Sequence, residues 1–212
     1  MRQHVNPLSK YFQEIESIPN IDQIFKNSHL PIHLDIGCAS GEFLFHLAEE
    51  NKNWNYLGIE IREKLIINAK HKLKDKDIDN IYFIFGNADN LLKNWIIQYP
   101  ERILGSASIY FPDPWFKKKH HKRRIIQPEF LNRLSLMMSN NSLLFVKSDV
   151  EDLHKYMNSV ISNSSIFEEV NNKNLDYLKT FNPSKIKTER EKYAISKQLT
   201  IYETIFKKII NV

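Results

Sequence analysis

Apolar residues in this chain come in short runs, and amphipathic stretches separate them. Pro31–Ile36, Tyr56–Ile61, Ile81–Phe85, Ala107–Phe111 and Ser142–Lys147 read as strands. Ile81–Phe85 is uninterrupted, which marks a strand covered on both faces. Between these runs, Phe43, Leu44, Leu47 and Ala48 recur at helical spacing, as do Leu65, Ile66, Ala69 and Leu73, and later Phe130, Leu131, Leu134 and Met138. Leu91–Tyr99 is also predicted helical. Val150, Leu153, Met157, Val160 and Ile161 predict a helix that opens with Ser148 and Glu151 at capping-box spacing. Ile166–Val170 reads as a sixth strand, 171–183 as a polar loop, and Leu199–Phe206 as a last strand. That strand is expected to be antiparallel, because little helix precedes it. Alternation of this kind predicts an α/β fold with a mostly parallel sheet covered on both faces. The first 28 residues carry no strand signal and predict an arm around Tyr11, Phe12, Ile15 and Ile18. A single domain is expected over 29–212.

A chain of 212 residues suits one domain. Its single cysteine, Cys38, excludes an intrachain disulfide and points to a reducing, cytoplasmic setting. No apolar run approaches the length of a membrane span, and no secretory leader pattern is present. Net charge is +5, a mild lean toward an acidic partner.

The candidate chemistry lies at strand ends, where ligands bind in open α/β sheets. The first strand runs into Asp35-Ile36-Gly37-Cys38-Ala39-Ser40-Gly41. Small residues there let the backbone approach a ligand closely, and the next helix offers free N–H groups. A tight strand-to-helix turn is the alternative reading of the glycines alone. Glu60 ends the second strand, where a carboxylate accepts from both hydroxyls of a ribose. Gly86-Asn87-Ala88-Asp89 follows the third, with Asp89 placed to accept from an exocyclic amine. A dinucleotide turn has Gly-x-Gly-x-x-Gly, and here the turn is shorter. Carboxylates also repel a diphosphate, by roughly 4 kcal/mol for unit charges about 4 Å apart at an effective dielectric of 20. S-adenosylmethionine instead carries a sulfonium and an ammonium. Asp35 suits one of those cations, Glu60 the ribose and Asp89 the adenine.

The fourth strand runs into Phe111-Pro112-Asp113-Pro114-Trp115, followed by six Lys or Arg residues between Lys117 and Arg124. Proline fixes its own backbone and pushes the preceding residue toward extended geometry, so Asp113 is expected to be held stiffly. A stiff carboxylate beside dense positive charge suggests a site that handles one base of a nucleic acid. Lys117, Lys118, Lys119, Lys122, Arg123 and Arg124 are candidate phosphate contacts, with His120 and His121 as auxiliaries. Nothing near them indicates a metal site. Trp115 either stacks on a base or packs the strand end, and Cys38 reads as a small filler at the turn.

Together these residues resemble the tRNA (guanine-N7)-methyltransferase family, over nearly the whole chain. The resemblance rests on Arg2–Ser9, Asp35–Gly41, Gly58–Glu60, Phe111–Arg124, Ser148-Asp149 and Thr188–Glu191. It implies a Rossmann-like sheet of seven strands with the last antiparallel. It implies S-adenosylmethionine as methyl donor and N7 of the variable-loop guanosine at position 46 of tRNA as acceptor. By resemblance, Asp35, Gly37, Gly41, Glu60, Asn87, Ala88, Asp89 and Asp113 border the donor, and Asp113 is the catalytic residue. Lys117, Asp149, Thr188, Glu189, Arg190 and Glu191 contact the substrate. Ser148-Asp149 and Thr188-x-x-Glu191 equally suit plain helix starts. The chain departs from the family at Asp35, Ala39 and Arg190, where many members have Glu, Gly and Phe.

No obligate protein partner or membrane is implied. Competing readings are a methyltransferase acting on another RNA, a protein or a small molecule, a nicotinamide-dependent oxidoreductase, and an RNA-binding module without activity. The basic run disfavours a small metabolite. The short glycine turn disfavours a nicotinamide enzyme, and intact Glu60 and Asp113 disfavour an inactive module.

Overall fold

The computed structural model describes residues 5–12, 19–98, 103–170, 178 and 181–209. The expectations for Arg2–His4, Ile15, Ile18, Tyr99 and most of 171–180 lie outside the described residues. The strands are β1 (Ile32–Ile36), β2 (Asn55–Glu60), β3 (Ile81–Phe85), β4 (Leu104–Tyr110), β5 (Met138–Ser148), β6 (Phe167–Glu169) and β7 (Tyr202–Lys208). The helices are α1 (Ile21–Ile24), α2 (Glu42–Glu50), α3 (Glu63–Lys74), α4 (Ala88–Gln98), α5 (Pro128–Met137), α6 (Glu151–Ser162) and α7 (Glu189–Ser196). A 3-10 turn covers Lys118–Arg123.

The strands form one sheet in the order β3-β2-β1-β4-β5-β7-β6. β1 pairs in parallel with β2 and β4, β2 with β3, and β4 with β5. β7 runs antiparallel between β5 and β6. The chain therefore reverses its direction of travel across the sheet between β1 and β4. That reversal opens a crevice above the carboxyl ends of these two strands.

Alternate residues of each strand serve opposite faces. Leu34, Leu57, Ala107, Leu144 and Val146 join a core under α1, α4, α5 and α6. Tyr56, Phe83, Tyr110 and Phe145 join a second core under α2 and α3. Helices cover both faces, as the apolar periodicity predicts.

Within the arm read over 1–28, Asn20 caps α1, and Ile21 and Phe25 are buried in the first core. Two local expectations need correction. Ser148 does not cap α6. Its hydroxyl accepts from Val150 N at 3.0 Å, and Val150 itself holds the cap position. An eight-residue helix, α7, precedes the antiparallel β7. Thr188 caps it as its spacing predicts, accepting from Glu191 N at 3.1 Å.

Candidate active site

Gly37 leaves β1 with φ at +86°, and a Cβ built on it would meet nothing within 4 Å. The left-handed backbone, not crowding, demands glycine there. Gly37 N and Cys38 N both donate to Ile59 O, at 2.7 and 3.1 Å, which ties the turn to β2. Ala39 also takes a positive φ, +50°. A glycine would hold that conformation without the cost of about 1 kcal/mol that a Cβ imposes. Gly41, with φ at +81°, starts α2 and packs on the Phe83 ring.

The Pro-Asp-Pro segment is held differently from expectation. Phe111 does not become extended before Pro112; its φ is +52°, and Trp115 on the far side stands at +44°. Phe111 N still donates to Lys147 O at 2.8 Å, so the strand ladder reaches one residue past β4. Two left-handed residues thus bracket Asp113. Outliers of this kind persist only where surrounding contacts over-determine them.

Two adjoining cavities open above the β1–β4 crevice. The first is lined by Val5, Pro7, Glu60, Asn87, Ala88, Trp115 and Arg123 among others. The second is lined by Asp35, Cys38, Ala39, Ser40, Thr188, Glu189 and Arg190 among others. Gly37, Arg62, Tyr110, Phe111 and Asp113 line both, and mark where they meet. Glu60 and Asp113 therefore share one hollow.

The acids at this site differ in their surroundings. Asp35 is buried and accepts from the Ser108 hydroxyl at 2.6 Å. Burial pushes its carboxyl up to about 7; the Ser108 bond opposes this and the nearby Glu60 charge adds to it. Behind Ser108 the polar chain continues, with His33 Nε2 at 3.1 Å from Ser108 Oγ and His33 Nδ1 at 2.7 Å from Ser106 Oγ. An ionised Asp35 only accepts, so Ser108 gives it its proton and accepts from His33 Nε2–H. Nδ1 then accepts from Ser106. Burial holds the His33 imidazole neutral, with its pKa lowered to about 3.

Glu60 is fully engaged. Oε1 accepts from Arg62 N and Nε, both at 3.0 Å. Oε2 accepts from Ala39 N at 3.1 Å and Arg62 Nη2 at 2.8 Å. The hydrogen bond to Glu60 raises the Arg62 pKa, and the charge of Asp113 adds to the effect. Burial raises the Cys38 thiol well above its ordinary value, with Asp35 and Glu60 adding to it, so Cys38 stays protonated. It packs beside Gly58, where an added Cβ would stand 2.8 Å from its sulfur.

Several residues named from the sequence stand apart from the cavities. Asp89 lines neither; Arg133 of α5 grips its carboxylate at 2.6 and 2.8 Å, fixing α4 to α5. Gly41 and Lys117 line neither. Asp149 pairs with Arg190, and Glu191 is buried against Lys147 at 3.1 Å. The basic run also divides. Lys117, Lys118, Lys119 and Lys122 are exposed, whereas Arg124 is buried, donates to Pro114 O at 2.9 Å and lies over Tyr156. Arg123 lies 5.0 Å from the Trp115 ring centroid, and half-buried His121 stands 3.1 Å from Arg124 Nη2 through its Nε2.

Sequence reasoning did not single out Arg62, Tyr110, His33, Ser106, Ser108, Arg133 or Lys147. A signal existed for some of them. His33 and Asp35 alternate on one strand, Ser106 and Ser108 on another, and the register places each pair opposite the other. Polar residues at period two inside apolar runs mark a buried network.

The doubly covered, mostly parallel sheet, with acids around a divided cavity at its switch point, has the Rossmann-like form of S-adenosylmethionine-dependent methyltransferases. Residues 29–204 match the family described as "Putative methyltransferase". A tRNA (guanine-N(7)-)-methyltransferase of Prochlorococcus marinus subsp. pastoris (strain CCMP1986 / NIES-2087 / MED4) is 56% identical over 209 residues, covering 99% of this chain and 100% of the relative. The 16S rRNA methyltransferase KamB shares the fold at TM-score 0.60 and 11% identity, over 90% of this chain and 91% of that one. SMU.1697c of Streptococcus mutans, solved in complex with SAH, aligns at TM-score 0.50 and 14% identity, over 89% of this chain and 93% of that one. The chain belongs to the tRNA (guanine-N(7)-)-methyltransferase family.

Proposed function

We propose that this chain transfers a methyl group from S-adenosylmethionine to N7 of a guanine in tRNA, the variable-loop guanosine at position 46. The observation that carries this reading is the meeting of two cavities at Gly37, Arg62 and Asp113, with Glu60 on one side and Asp35 on the other.

The donor set fits the methyl donor. Asp35 faces the cavity beside the Gly37–Ser40 turn and would pair with the ammonium. Glu60, Asn87 and Ala88 face the other half and would hold the adenosine. Asp89, next to Ala88, lines neither cavity and is paired with Arg133. Every acceptor position of Glu60 is taken, so a ribose diol gains Glu60 only as the Arg62 side chain withdraws. S-adenosylmethionine, when bound, supplies a cationic methyl and leaves as a neutral thioether.

Guanine N7 has an in-plane lone pair and no proton, so the transfer requires no general base. The chain's work is alignment, which supplies roughly 7–11 kcal/mol in favourable cases. Asp113 faces the meeting point of the cavities. There it accepts from guanine N1–H and the 2-amino group and offsets the positive charge that the purine gains. Thr188, Glu189 and Arg190 wall the acceptor side. The four exposed lysines of the basic turn take tRNA phosphates, offsetting the few kcal/mol needed to expose a stacked base.

The arm read over 1–28 contributes Val5 and Pro7 to the adenosine side, where Asn87 Nδ2 donates to Pro7 O at 3.0 Å. The rest of the chain, 29–212, acts as one catalytic domain without an obligate protein partner. Among the described residues no helix is long and apolar enough to cross a membrane; the chain works in the cytoplasm.

Incubation with methyl-labelled S-adenosylmethionine and unmodified tRNA, followed by nucleoside analysis, tests the reading. Label in 7-methylguanosine supports it; label in another nucleoside, or none, refutes it.

A further inference from the structure

We infer that Lys147 is the positioning residue for the Thr188–Glu191 wall of the site, and that Glu191 serves the substrate through Lys147 rather than by touching it. This rests on the methyltransferase reading of the adjoining cavity.

Lys147 lies near the end of β5 and is 1% exposed. Its Nζ stands 3.1 Å from Glu191 Oε2, 3.4 Å from Ser184 O and 3.6 Å from Glu203 Oε1. It also lies 4.9 Å from the centroid of the Tyr110 ring. These partners come from four segments: α7, the 3-10 turn Pro183–Lys185, β7 and β4. An ammonium has three donors and no acceptor. Two are used on Glu191 and Ser184, and the third faces Glu203, which the sheet register places directly opposite Lys147.

A buried cation is tolerated only when paired and hydrogen-bonded. Removing one partner leaves the other charge uncompensated, so the side chains around it are held to one arrangement. Here that arrangement includes the site. Tyr110 lines both cavities, and Thr188, Glu189 and Arg190 wall the second. Glu191, the next residue, lines neither. Its backbone N–H donates to the Thr188 hydroxyl and its carboxylate meets Lys147. Glu191 is thus a peg that fixes the start of α7 against the sheet. A second tie, Arg190 with Asp149, joins the same turn of α7 to the residue after β5.

The two possible roles of Glu191 separate in a double-mutant cycle. Methyl transfer to unmodified tRNA is measured for the wild-type chain, Lys147→Met, Glu191→Gln and the double variant, with S-adenosylmethionine affinity measured alongside by calorimetry. If Glu191 acts through Lys147, each single change lowers kcat/KM for tRNA by about tenfold or more, and the double change falls within about threefold of the worse single. Methyl-donor affinity stays within about threefold throughout. Lys147→Arg, which keeps the charge and the donors, recovers part of the loss. Multiplying losses in the double variant show that Glu191 touches the substrate itself and overturn the inference. Single variants that match the wild type overturn it as well. If Lys147→Met does not fold, Lys147→Gln, which removes the charge, supplies the same cycle with Glu191→Gln. A wild-type chain that methylates no tRNA overturns the functional reading instead, which a failed cycle on an active enzyme does not.

Discussion

The Ser108 hydroxyl donates to Asp35 Oδ1 at 2.6 Å, across the two strands that flank the switch point. This bond supports the ionised form of Asp35, while burial opposes it more strongly and brings the carboxyl up to about 7. A cation pairs only with the ionised form. S-adenosylmethionine affinity is therefore expected to rise as pH rises through about 7, and Asp35→Asn to bind weakly with a flat profile. For folding without ligand the sign is opposite. The folded pKa lies above the ordinary value, so the native chain binds the extra proton, and the Asp35 contribution to stability falls as pH rises from about 4 to about 7. Urea midpoints of the wild type and Asp35→Asn across this range check the second statement, and calorimetry checks the first.

Asp113→Asn keeps the shape of the Pro-Asp-Pro segment and removes its charge. A preorganised charge of this kind is worth about 10²-fold or more in rate. Single-turnover methylation is expected to slow by at least about tenfold, with methyl-donor affinity much less affected. An unchanged rate rules out an electrostatic role for Asp113.

Two glycines answer to different physics. Gly37→Ala meets no atom within 4 Å, so its cost is the left-handed backbone, about 1–2 kcal/mol. Gly58→Ala drives a methyl to 2.8 Å from Cys38 Sγ and from Phe83 Cδ1, and to 2.9 Å from Leu44 Cδ1. Overpacking in a filled core costs about 1–3 kcal/mol and shifts the neighbours. Gly58→Ala is expected to lower the urea midpoint more than Gly37→Ala. Gly37→Ala is expected to weaken S-adenosylmethionine binding beyond what its stability loss explains.

Much of this architecture was legible before the structure. Strand ends fixed Glu60, Asn87 and Asp113 near one another, because parallel strands deliver their carboxyl ends to one edge. Asp89 also follows a strand, but it sits one residue into α4, and Arg133, distant in sequence, grips its carboxylate, a pairing that spacing does not show. Spacing also made Arg124 look like a phosphate contact, whereas its guanidinium packs on Tyr156 of α6. Lys147 was hidden because a lysine at the end of an apolar run reads as a solvated strand terminus. Its two carboxylate partners lie on segments far along the chain. Such pairings depend on tertiary contacts, which no local period encodes.

The division of the basic turn changes the expected response to salt. With the four exposed lysines on phosphates, Arg123 over Trp115 and Arg124 committed to the fold, a fourfold rise in salt is expected to weaken tRNA binding by about 10²-fold, against about 10³-fold for six contacts. Lys118→Ala should reduce the salt slope by somewhat under one unit. Arg124→Ala should lower thermal stability without that reduction. Filter binding over a salt series, with melting curves, separates the two.

Calorimetric titration of the wild-type chain with S-adenosylmethionine, and separately with NAD, tests most directly whether the divided acidic cavity is a methyl-donor site. One mole of S-adenosylmethionine bound per chain, weakened by Glu60→Gln, with no heat from NAD, is the expected result. Absence of S-adenosylmethionine binding, or equal binding of NAD, contradicts it.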